Sequence, residues 1–546
     1  MKKIGIGVDT FTKIRSDNYL YIDKSALIEE IIEDSAQTIV FTRPRLTGKT
    51  LNLTMLYNFF DIKDSYTNHE LFKGLYIQKS HAYVHHGSYP VIFIKNIGLI
   101  ADSFENFLQS FRHYLSLLFL EFEYLIKDLD QTETAFFEKV ILNEYLTQGE
   151  IIQVLPRLRD ILYRYYSKKV VVLIDAFDSP LHKAYTHGYY KELAEFFNTL
   201  YSMLLNDSIK IKKAIITGRV NPQIHGVFLN TNNLKEYTIL DLKYSQYFGF
   251  TDTEVKEALA EYKLSDQLHN IVKWYQSTDF YNVSLYNPWS IINYLKSREF
   301  ISHWLKTAEH SLIYDFVQKS NLKTLRKLCK LTLGQNIKLD LSKFTDSNSY
   351  SIQDNIFVLL LYTGYLTVDK HISDSTYKLK IPNNEILIFF KRICSKIIFK
   401  NTDSKGTLTD SLDLNNRYYI GSILQIALKN ALKLKKNKRN SKPGKIFIKT
   451  LDFQLHNIYD LKYNYEVKKD LAFILLKGCN DNKHNYIFIL KRVHRISQAM
   501  ATRSVHLRLI DDSHTQSFLS TLKVSCDNRL SVMAVIFDNN EVVSFY

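Results

Sequence analysis

A chain of 546 residues is too long for a single hydrophobic core, so we expect two to four domains. With 46% hydrophobic and 23% charged residues, the composition is that of a folded protein and excludes a largely disordered one. The net charge of +15, from 71 basic and 56 acidic residues, permits contact with phosphate, nucleic acid or an anionic surface, although a solvated lysine-rich surface also explains it.

The cysteines and the N-terminal segment bear on the cellular setting. The four cysteines lie far apart, with neither metal-ligand spacing nor a disulfide framework, which favours a reducing compartment. The N-terminal segment lacks the long apolar core of a signal peptide, and no run is apolar for long enough to cross a bilayer. We therefore predict a cytoplasmic protein without a membrane partner, with signal-independent export into a host cell as the open alternative.

The first 250 residues predict strands and helices in alternation. Residues 25–32 have a helical pattern. The segments that predict strands are 38–42, 90–94, 170–174, 211–217 and 237–240, and the helical patterns between them cover 104–125, 151–166 and 191–205. Strands joined by crossover helices form a parallel sheet, so we predict an α/β fold whose ligand site lies at the carboxyl ends of the strands.

The first strand leads through a turn into Gly48-Lys49-Thr50 and an apolar helix, which is the layout of a phosphate-binding loop. In such a loop the glycine lets the backbone approach a phosphate, the lysine reaches the β- and γ-phosphates, and the threonine hydroxyl ligates Mg²⁺. The full pattern has a glycine five residues before Gly48, where this chain has Arg43. A basic turn therefore remains the alternative. The residues expected to bind the nucleotide are Arg45, Thr47, Gly48, Lys49, Thr50 and Leu51.

A second acidic element is predicted where the apolar run 169–174 ends in Asp175. A carboxylate at the end of a central parallel strand is placed to hold Mg²⁺ together with Thr50. A helix-capping role for Asp175 is the alternative. The general base that polarises water usually comes next, but here the next residue is Ala176, so hydrolysis is in doubt. Asp178 is the nearby acid that we name as a candidate catalytic residue.

These segments resemble the AAA-ATPase-like proteins that carry a C-terminal PD-(D/E)XK nuclease-like domain, a group frequent in bacteria. The family loop Arg-Pro-Arg-Arg-Phe-Gly-Lys-Ser/Thr corresponds to residues 43–50. In this family, arginine is the expected residue at the position of Arg43. The family's Leu-Ile-Asp-Glu-Tyr-Asp-x-Pro corresponds to residues 173–180, without the Glu and the Tyr. Further matching segments are YIDK at 21–24, ITG at 216–218, NNL at 232–234, YNPWS at 286–290 and GYLT at 364–367.

The resemblance implies ATP and Mg²⁺ as cofactors and three domains. These are an AAA-like domain over 1–250, a helical lid with a winged-helix-like unit over 251–400, and a nuclease-like α+β domain over 401–546. It also implies that Thr217 senses the γ-phosphate. Arg219 could add positive charge nearby, with an ordinary surface arginine as the commoner alternative. Within the second region, a capping box at 251–254 opens a helix, further helices follow to about 348, and strands at 364–368 and 377–381 pair.

The nuclease-like domain is expected to be degenerate. The resembling fold uses one acid and a Glu-x-Lys to hold a divalent metal, and Asp470 and Lys491 are the residues here. Ile489 stands where the Glu belongs, and Glu466 is a weak substitute. The lysine-rich run 429–449 is a plausible nucleic-acid contact, although a solvated helix end explains it at least as well.

The leading hypothesis is an ATP-binding, nucleotide-gated binding module with weak or lost hydrolysis, in effect a pseudoenzyme that retains the phosphate loop. One alternative is an active ATP-dependent nuclease or defence enzyme in which Asp178 and Glu466 replace the lost acids. Another is a non-enzymatic interaction protein with a protein partner or self-association.

Overall fold

A computed structural model of the chain describes residues 2–96, 98–99, 101–219, 226–280, 283–307, 313, 316–317, 320, 322–332, 334–342, 356–399, 459–464, 471–478, 485–492, 530–537 and 542–545. Contacts divide the chain into two compact units, Met1–Asn321 with Leu333–Leu387 and Leu322–Thr332 with Ile388–Tyr546. The predicted boundaries at 250 and 400 stay a prediction.

The first 250 residues alternate between helices and strands as predicted. The helices are α1 (Phe11–Ser16), α2 (Ala26–Glu33), α3 (Lys49–Phe60), α4 (Ser65–His69), α5 (Phe104–Leu120), α6 (Gln131–Ile141), α7 (Gln148–Tyr166), α8 (Ser179–His187) and α9 (Tyr190–Leu205). The strands are β1 (Thr38–Thr42), β2 (Val91–Lys95), β3 (Val170–Asp175), β4 (Ile211–Gly218) and β5 (Leu234–Tyr237).

These five strands form one parallel sheet in the order β2-β3-β4-β1-β5, which confirms the predicted parallel sheet. β1 and β3 are buried along their whole length because helices pack on both faces. Apolar side chains of α2 and α3 cover one face, and those of α5, α7 and α9 cover the other. Since all five strands are parallel, their carboxyl ends meet at one edge of the sheet.

The fifth strand lies three residues earlier than predicted, at β5 rather than at 237–240. The reason is a local turn: the backbone N–H and the hydroxyl of Thr238 both donate to Asp241 Oδ2, at 2.7 and 2.9 Å. A side chain that accepts a hydrogen bond from the backbone three residues earlier favours a turn over a strand.

The rest of the first unit contains helices α10 (Asp252–Glu261), α11 (Leu268–Tyr275), α12 (Pro288–Ser297) and α14 (Ile356–Tyr362) and the start of α15 (Asn384–Phe399), whereas α13 (Leu322–Thr332) belongs to the second unit. Its strands are β6 (Phe250–Thr251), β7 (Gln276–Phe280), β8 (Val283–Tyr286), β9 (Ile337–Asp340), β10 (Thr367–Ser373) and β11 (Thr376–Lys380). The capping box of Thr251 and Glu254 is confirmed.

The antiparallel pair β7 and β8 corrects the prediction of helices alone in this region. β10 and β11 form the predicted strand pair, and β9 adds a third strand to it. The winged-helix-like assignment stays a prediction.

In the second unit, β12 (Tyr459–Asn464), β13 (Leu471–Gly478), β14 (Asn485–Arg492), β15 (Leu530–Phe537) and β16 (Val542–Phe545) form a mixed sheet in chain order. β13 and β14 are the two predicted nuclease-like strands, and they pair antiparallel with Lys491 opposite Leu471. Asp470, Glu466 and the basic run 429–449 lie outside the described residues. Among the helices that the structure describes, none has both the length and the apolarity to span a membrane.

Candidate nucleotide-binding site

The loop between β1 and α3 has the backbone form that phosphate binding requires. Gly48 precedes the twelve-residue helix α3 at φ +93°, in the left-handed region that favours glycine. The first N–H groups of a helix have no intrahelical partner and attract anions. Lys49 lies over the loop, where its Nζ donates to the carbonyl oxygens of Arg43 (2.9 Å) and Pro44 (2.6 Å). The loop therefore presents helix N–H groups and one ammonium to the same space.

Asp175, at the end of β3, joins the loop to the sheet. Its carboxylate accepts a hydrogen bond at Oδ2 from the Thr50 hydroxyl (2.8 Å) and another at Oδ1 from the Thr217 hydroxyl (2.7 Å). Asp175 is buried. The structure thus brings together three residues that the sequence placed far apart, and the alternative in which Asp175 merely caps the next helix does not describe these contacts.

The hydroxyl of Thr50 and the carboxylate of Asp175 suit Mg²⁺, which prefers oxygen ligands in octahedral geometry at about 2.0–2.1 Å. Neighbouring oxygens in such an octahedron are about 2.9 Å apart. The two side-chain oxygens here are 2.8 Å apart. Both the donor set and the spacing therefore fit the ion.

The ends of β3 and β4 are fastened to each other beside this pair. Thr217 Oγ1 also accepts a hydrogen bond from the Ala176 N–H (3.3 Å), and the Phe177 N–H donates to the Thr217 carbonyl (3.0 Å). Ala176 adopts φ +52°, which a residue with a Cβ rarely does. A Cβ at Gly218 would lie 2.2 Å from the ring of Phe177, so the glycine of the Ile-Thr-Gly segment makes room for that ring.

Asp178 lies at the start of α8, fully buried. Its Oδ2 accepts a hydrogen bond from the Arg219 N–H (3.0 Å), pairs with Arg219 Nε (3.5 Å) and lies 3.2 Å from Nε2 of His182. The sequence analysis named Asp178 and Arg219 but missed His182. The spacing of four residues from Asp178 at the start of a helix was the signal that could have found it.

The charges around Lys49 are arranged for an anion. The pKa of the Lys49 ammonium is lowered to about 7, chiefly by burial and also by the charges of Arg219 and Arg45, while the charges of Asp178 and Asp175 act in the opposite direction. A phosphate beside the ammonium favours its charged form, because an opposite charge offsets the cost of desolvation. The site therefore gains most from a ligand with several negative charges.

These groups line one end of a cavity of about 700 Å³. That volume lies in the usual range for small-molecule sites. The other walls come from the N-terminal segment and from the chain after the sheet, and they are rich in apolar and aromatic side chains: Ile6, Val8, Tyr19, Tyr21, Ile22, Phe250, Trp289 and Ile292. Thr47, Leu51 and Arg45, for which nucleotide contacts are a prediction, also line the cavity. A polar end and an apolar end suit a ligand made of phosphates and a base.

Arg43 has a structural role rather than a place among the phosphate ligands. Its buried guanidinium donates from Nη1 to the carbonyls of Thr42 (3.0 Å) and Tyr237 (2.7 Å), and it lies over the ring of Phe248. Burial lowers its pKa to about 10. Arg43 therefore joins the ends of β1 and β5 at the point where a generic phosphate loop has glycine.

Three residues from later in the chain, Asn287, Trp304 and Gly364, contact the loop. Nδ2 of Asn287 and Nε1 of Trp304 both donate to the Arg45 carbonyl, each at 3.3 Å. A Cβ at Gly364 would lie 2.8 Å from Pro44, so the backbone packs closely there. Asn287 and Gly364 belong to two of the matching segments of the sequence, and their contacts with the loop explain why these segments accompany it.

The comparisons with known proteins agree with this geometry. Residues 5–228 match the model of a family described as predicted AAA-ATPase. This range contains the loop, the end of β3 and Thr217. The chain is also 26% identical over 397 residues to an uncharacterized protein encoded in the vnfD 5′ region of Azotobacter chroococcum mcd 1, which covers 70% of this chain and 68% of that protein. The family match supports nucleotide binding and does not extend to the second unit.

Proposed function

We propose that this protein is an Mg²⁺-dependent ATP-binding module of the AAA-like kind, which hydrolyses ATP slowly and uses nucleotide occupancy to control binding to another macromolecule. The observation that carries the proposal is the hydrogen-bonded row of Thr50, Asp175 and Thr217 beside Lys49. The start of α3 and the ends of β3 and β4 contribute the groups to which the proposal assigns metal binding, phosphate binding and sensing.

The proposal gives each group a role. Lys49 and the first N–H groups of α3 bind the β- and γ-phosphates, and Thr50 with Asp175 holds Mg²⁺, which neutralises charge on the phosphates. Thr217 reports on the γ-phosphate through the carboxylate that it shares with Thr50. The aromatic walls formed by residues 19–22 and by Trp289 receive the base.

Slow hydrolysis follows from Ala176. Orientation of the attacking water by a carboxylate contributes a large factor to the rate, and a methyl group cannot accept the proton. The second unit is proposed to be a degenerate nuclease-like domain because Ile489 stands at the position of a metal-binding Glu, next to Lys491 on β14. Nucleic acid, bound through the run 429–449, or a protein is the proposed target, and the cytoplasm is the proposed location.

Nucleotide binding tests the proposal. We expect Mg·ATP to bind the wild type, and Lys49→Ala to weaken binding roughly 10- to 100-fold, because a charge-assisted contact to a phosphate is worth about 1.5–3 kcal/mol. Lys168→Ala is the matched control, since Lys168 is exposed near the opposite edge of the sheet, just before β3. The proposal would be contradicted if Lys49→Ala and the wild type bound ATP with equal affinity, or if the wild type did not bind ATP at millimolar concentration.

A further inference from the structure

The cavity contains a second pair of proton-carrying groups that the metal and phosphate roles do not use. Asp178 and His182 are four residues apart at the start of α8, on the same face of the helix. Asp178 Oδ2 lies 3.2 Å from Nε2 of His182, and both side chains line the 700 Å³ cavity beside Lys49, Asp175 and Ala176.

The carboxylate of Asp178 is fixed in place. The backbone N–H of Arg219 donates to Oδ2 at 3.0 Å, and the guanidinium pairs with the same oxygen. A carboxylate accepts hydrogen bonds and does not donate them, so Nε2 of His182 carries the proton in this contact. Nδ1 is then the imidazole nitrogen that can accept a proton.

The environment keeps His182 neutral. Its side chain is 17% exposed, and burial, followed by the charge of Arg219, lowers its pKa below the ordinary value of 6.5. Asp178 acts in the opposite direction but does not outweigh the other two. At neutral pH the imidazole is therefore a base with a fixed partner.

The pair lines the same cavity as the group assigned to the terminal phosphates. Asp178, His182, Arg219 and Lys49 are all among the residues that line it. Lys49 is the group assigned to the β- and γ-phosphates. Ala176, at the position of the usual base, supplies no proton acceptor.

Resting on the proposed function, we propose that His182, oriented by Asp178, takes the place of the missing carboxylate at position 176 as the base that orients and deprotonates the attacking water. The water oxygen forms a bond to the γ-phosphorus, the bond from this phosphorus to the β–γ bridging oxygen breaks, and ADP leaves with the electron pair. The proton lost by the water goes to Nδ1 of His182 and later to solvent. The substrate is a nucleoside triphosphate, and the pair serves its slow hydrolysis.

Turnover with a matched set of variants tests this inference. We expect His182→Ala to lower kcat for ATP hydrolysis at least about 10-fold with little change in KM, because a positioned base contributes to the chemical step and not to binding. His269→Ala is the control, since His269 is exposed on α11. The double variant Ala176→Glu/His182→Ala should recover turnover, because the carboxylate returns the base to its usual position.

A second readout does not depend on turnover. Diethyl pyrocarbonate modifies neutral histidines, and mass spectrometry can follow His182 with His269 as the internal reference. Mg·ATPγS should slow the modification of His182 more than Mg·ADP does, because the γ-phosphate lies against this residue. Equal protection by the two nucleotides would overturn the inference.

The failures of the two proposals are distinguishable. Loss of nucleotide binding in the wild type contradicts the proposed function. If nucleotide binding is intact, either of two results overturns only the role of His182. One is a wild-type rate of ATP hydrolysis no higher than that of Lys49→Ala. The other is a rate of ATP hydrolysis in His182→Ala and His182→Gln equal to that of the wild type. An unchanged Kd for ATP in these variants shows that they are folded.

Discussion

Replacing Thr217 by valine should damage both stability and the metal site. The two side chains have nearly the same shape, so the change removes the hydroxyl and little else. That hydroxyl donates to Asp175 Oδ1 at 2.7 Å and accepts from the Ala176 N–H at 3.3 Å. Thr217 is buried, so water does not readily replace either partner.

The expected loss follows from these two contacts. A hydrogen bond to a charged group contributes about 1.5–3 kcal/mol, and a buried donor left unpaired costs about 1–3 kcal/mol. Some relaxation is expected, so we predict a loss of about 3 kcal/mol in the free energy of unfolding for Thr217→Val. The first unit has about 380 residues, and an unfolding entropy of about 2.1 cal/mol/K per residue converts this loss into a fall in Tm of roughly 4 °C.

Thermal unfolding followed by circular dichroism, with a parallel titration of Mg²⁺ in the presence of ATP, measures both effects. Thr217→Ser keeps the hydroxyl and is the control, for which we expect a much smaller loss. If Thr217→Val lowers Tm no more than Thr217→Ser and binds Mg·ATP as the wild type does, then the hydroxyl does not organise Asp175 and the reasoning is refuted.

Three further changes test other parts of the structure. Ala176→Gly should raise the free energy of unfolding by about 0.5–1 kcal/mol, because φ at this residue is +52°. Ala260→Gly, on the exposed side of α10, is the control and should lower the free energy of unfolding by about 1 kcal/mol. If chemical denaturation shows that both substitutions change this free energy in the same direction, the backbone of Ala176 is not strained. Gly218→Ala should cost about 1–3 kcal/mol, since its Cβ would lie 2.2 Å from the Phe177 ring, and a second change, Phe177→Leu, should recover part of the loss in a double-mutant cycle. Burial raises the pKa of Glu385 to about 7 from an ordinary 4.5. Its contribution to stability is therefore present below about pH 4.5 and is lost as the pH rises through 7. Between pH 5 and 8 the Tm should fall less steeply in Glu385→Gln than in the wild type, and equal slopes in the two proteins would contradict this assignment.

The parallel sheet was predictable because the sequences of its central strands are nearly unbroken apolar runs. β1 and β3 are buried on both faces, so hydrophobic residues occupy nearly every position, and the carboxylate at the end of β3 stands out against them. β5 was placed three residues too late because an edge strand has a weaker pattern and a polar turn follows it.

The contacts that complete the site depend on tertiary structure. Arg43 looks like a solvent-exposed basic residue in the sequence, yet it is buried between the ends of two strands that are almost 200 residues apart. His182 is one histidine among 17, and only its position four residues after Asp178 distinguishes it. The strand pair β7 and β8 was missed because the two strands are only five and four residues long and lie in a stretch whose pattern is helical from Thr251 onward.

The Mg²⁺ dependence of ATP binding, compared between the wild type and Asp175→Asn, tests the central claim most directly. Asparagine keeps the size of the side chain and an oxygen that the Thr50 or Thr217 hydroxyl can reach, but it removes the charge that holds the ion. We predict that Mg²⁺ strengthens ATP binding to the wild type at least about 10-fold and strengthens binding to Asp175→Asn far less. Equal strengthening in the two proteins would contradict the claim that Thr50 and Asp175 form the metal site of a nucleotide-binding protein.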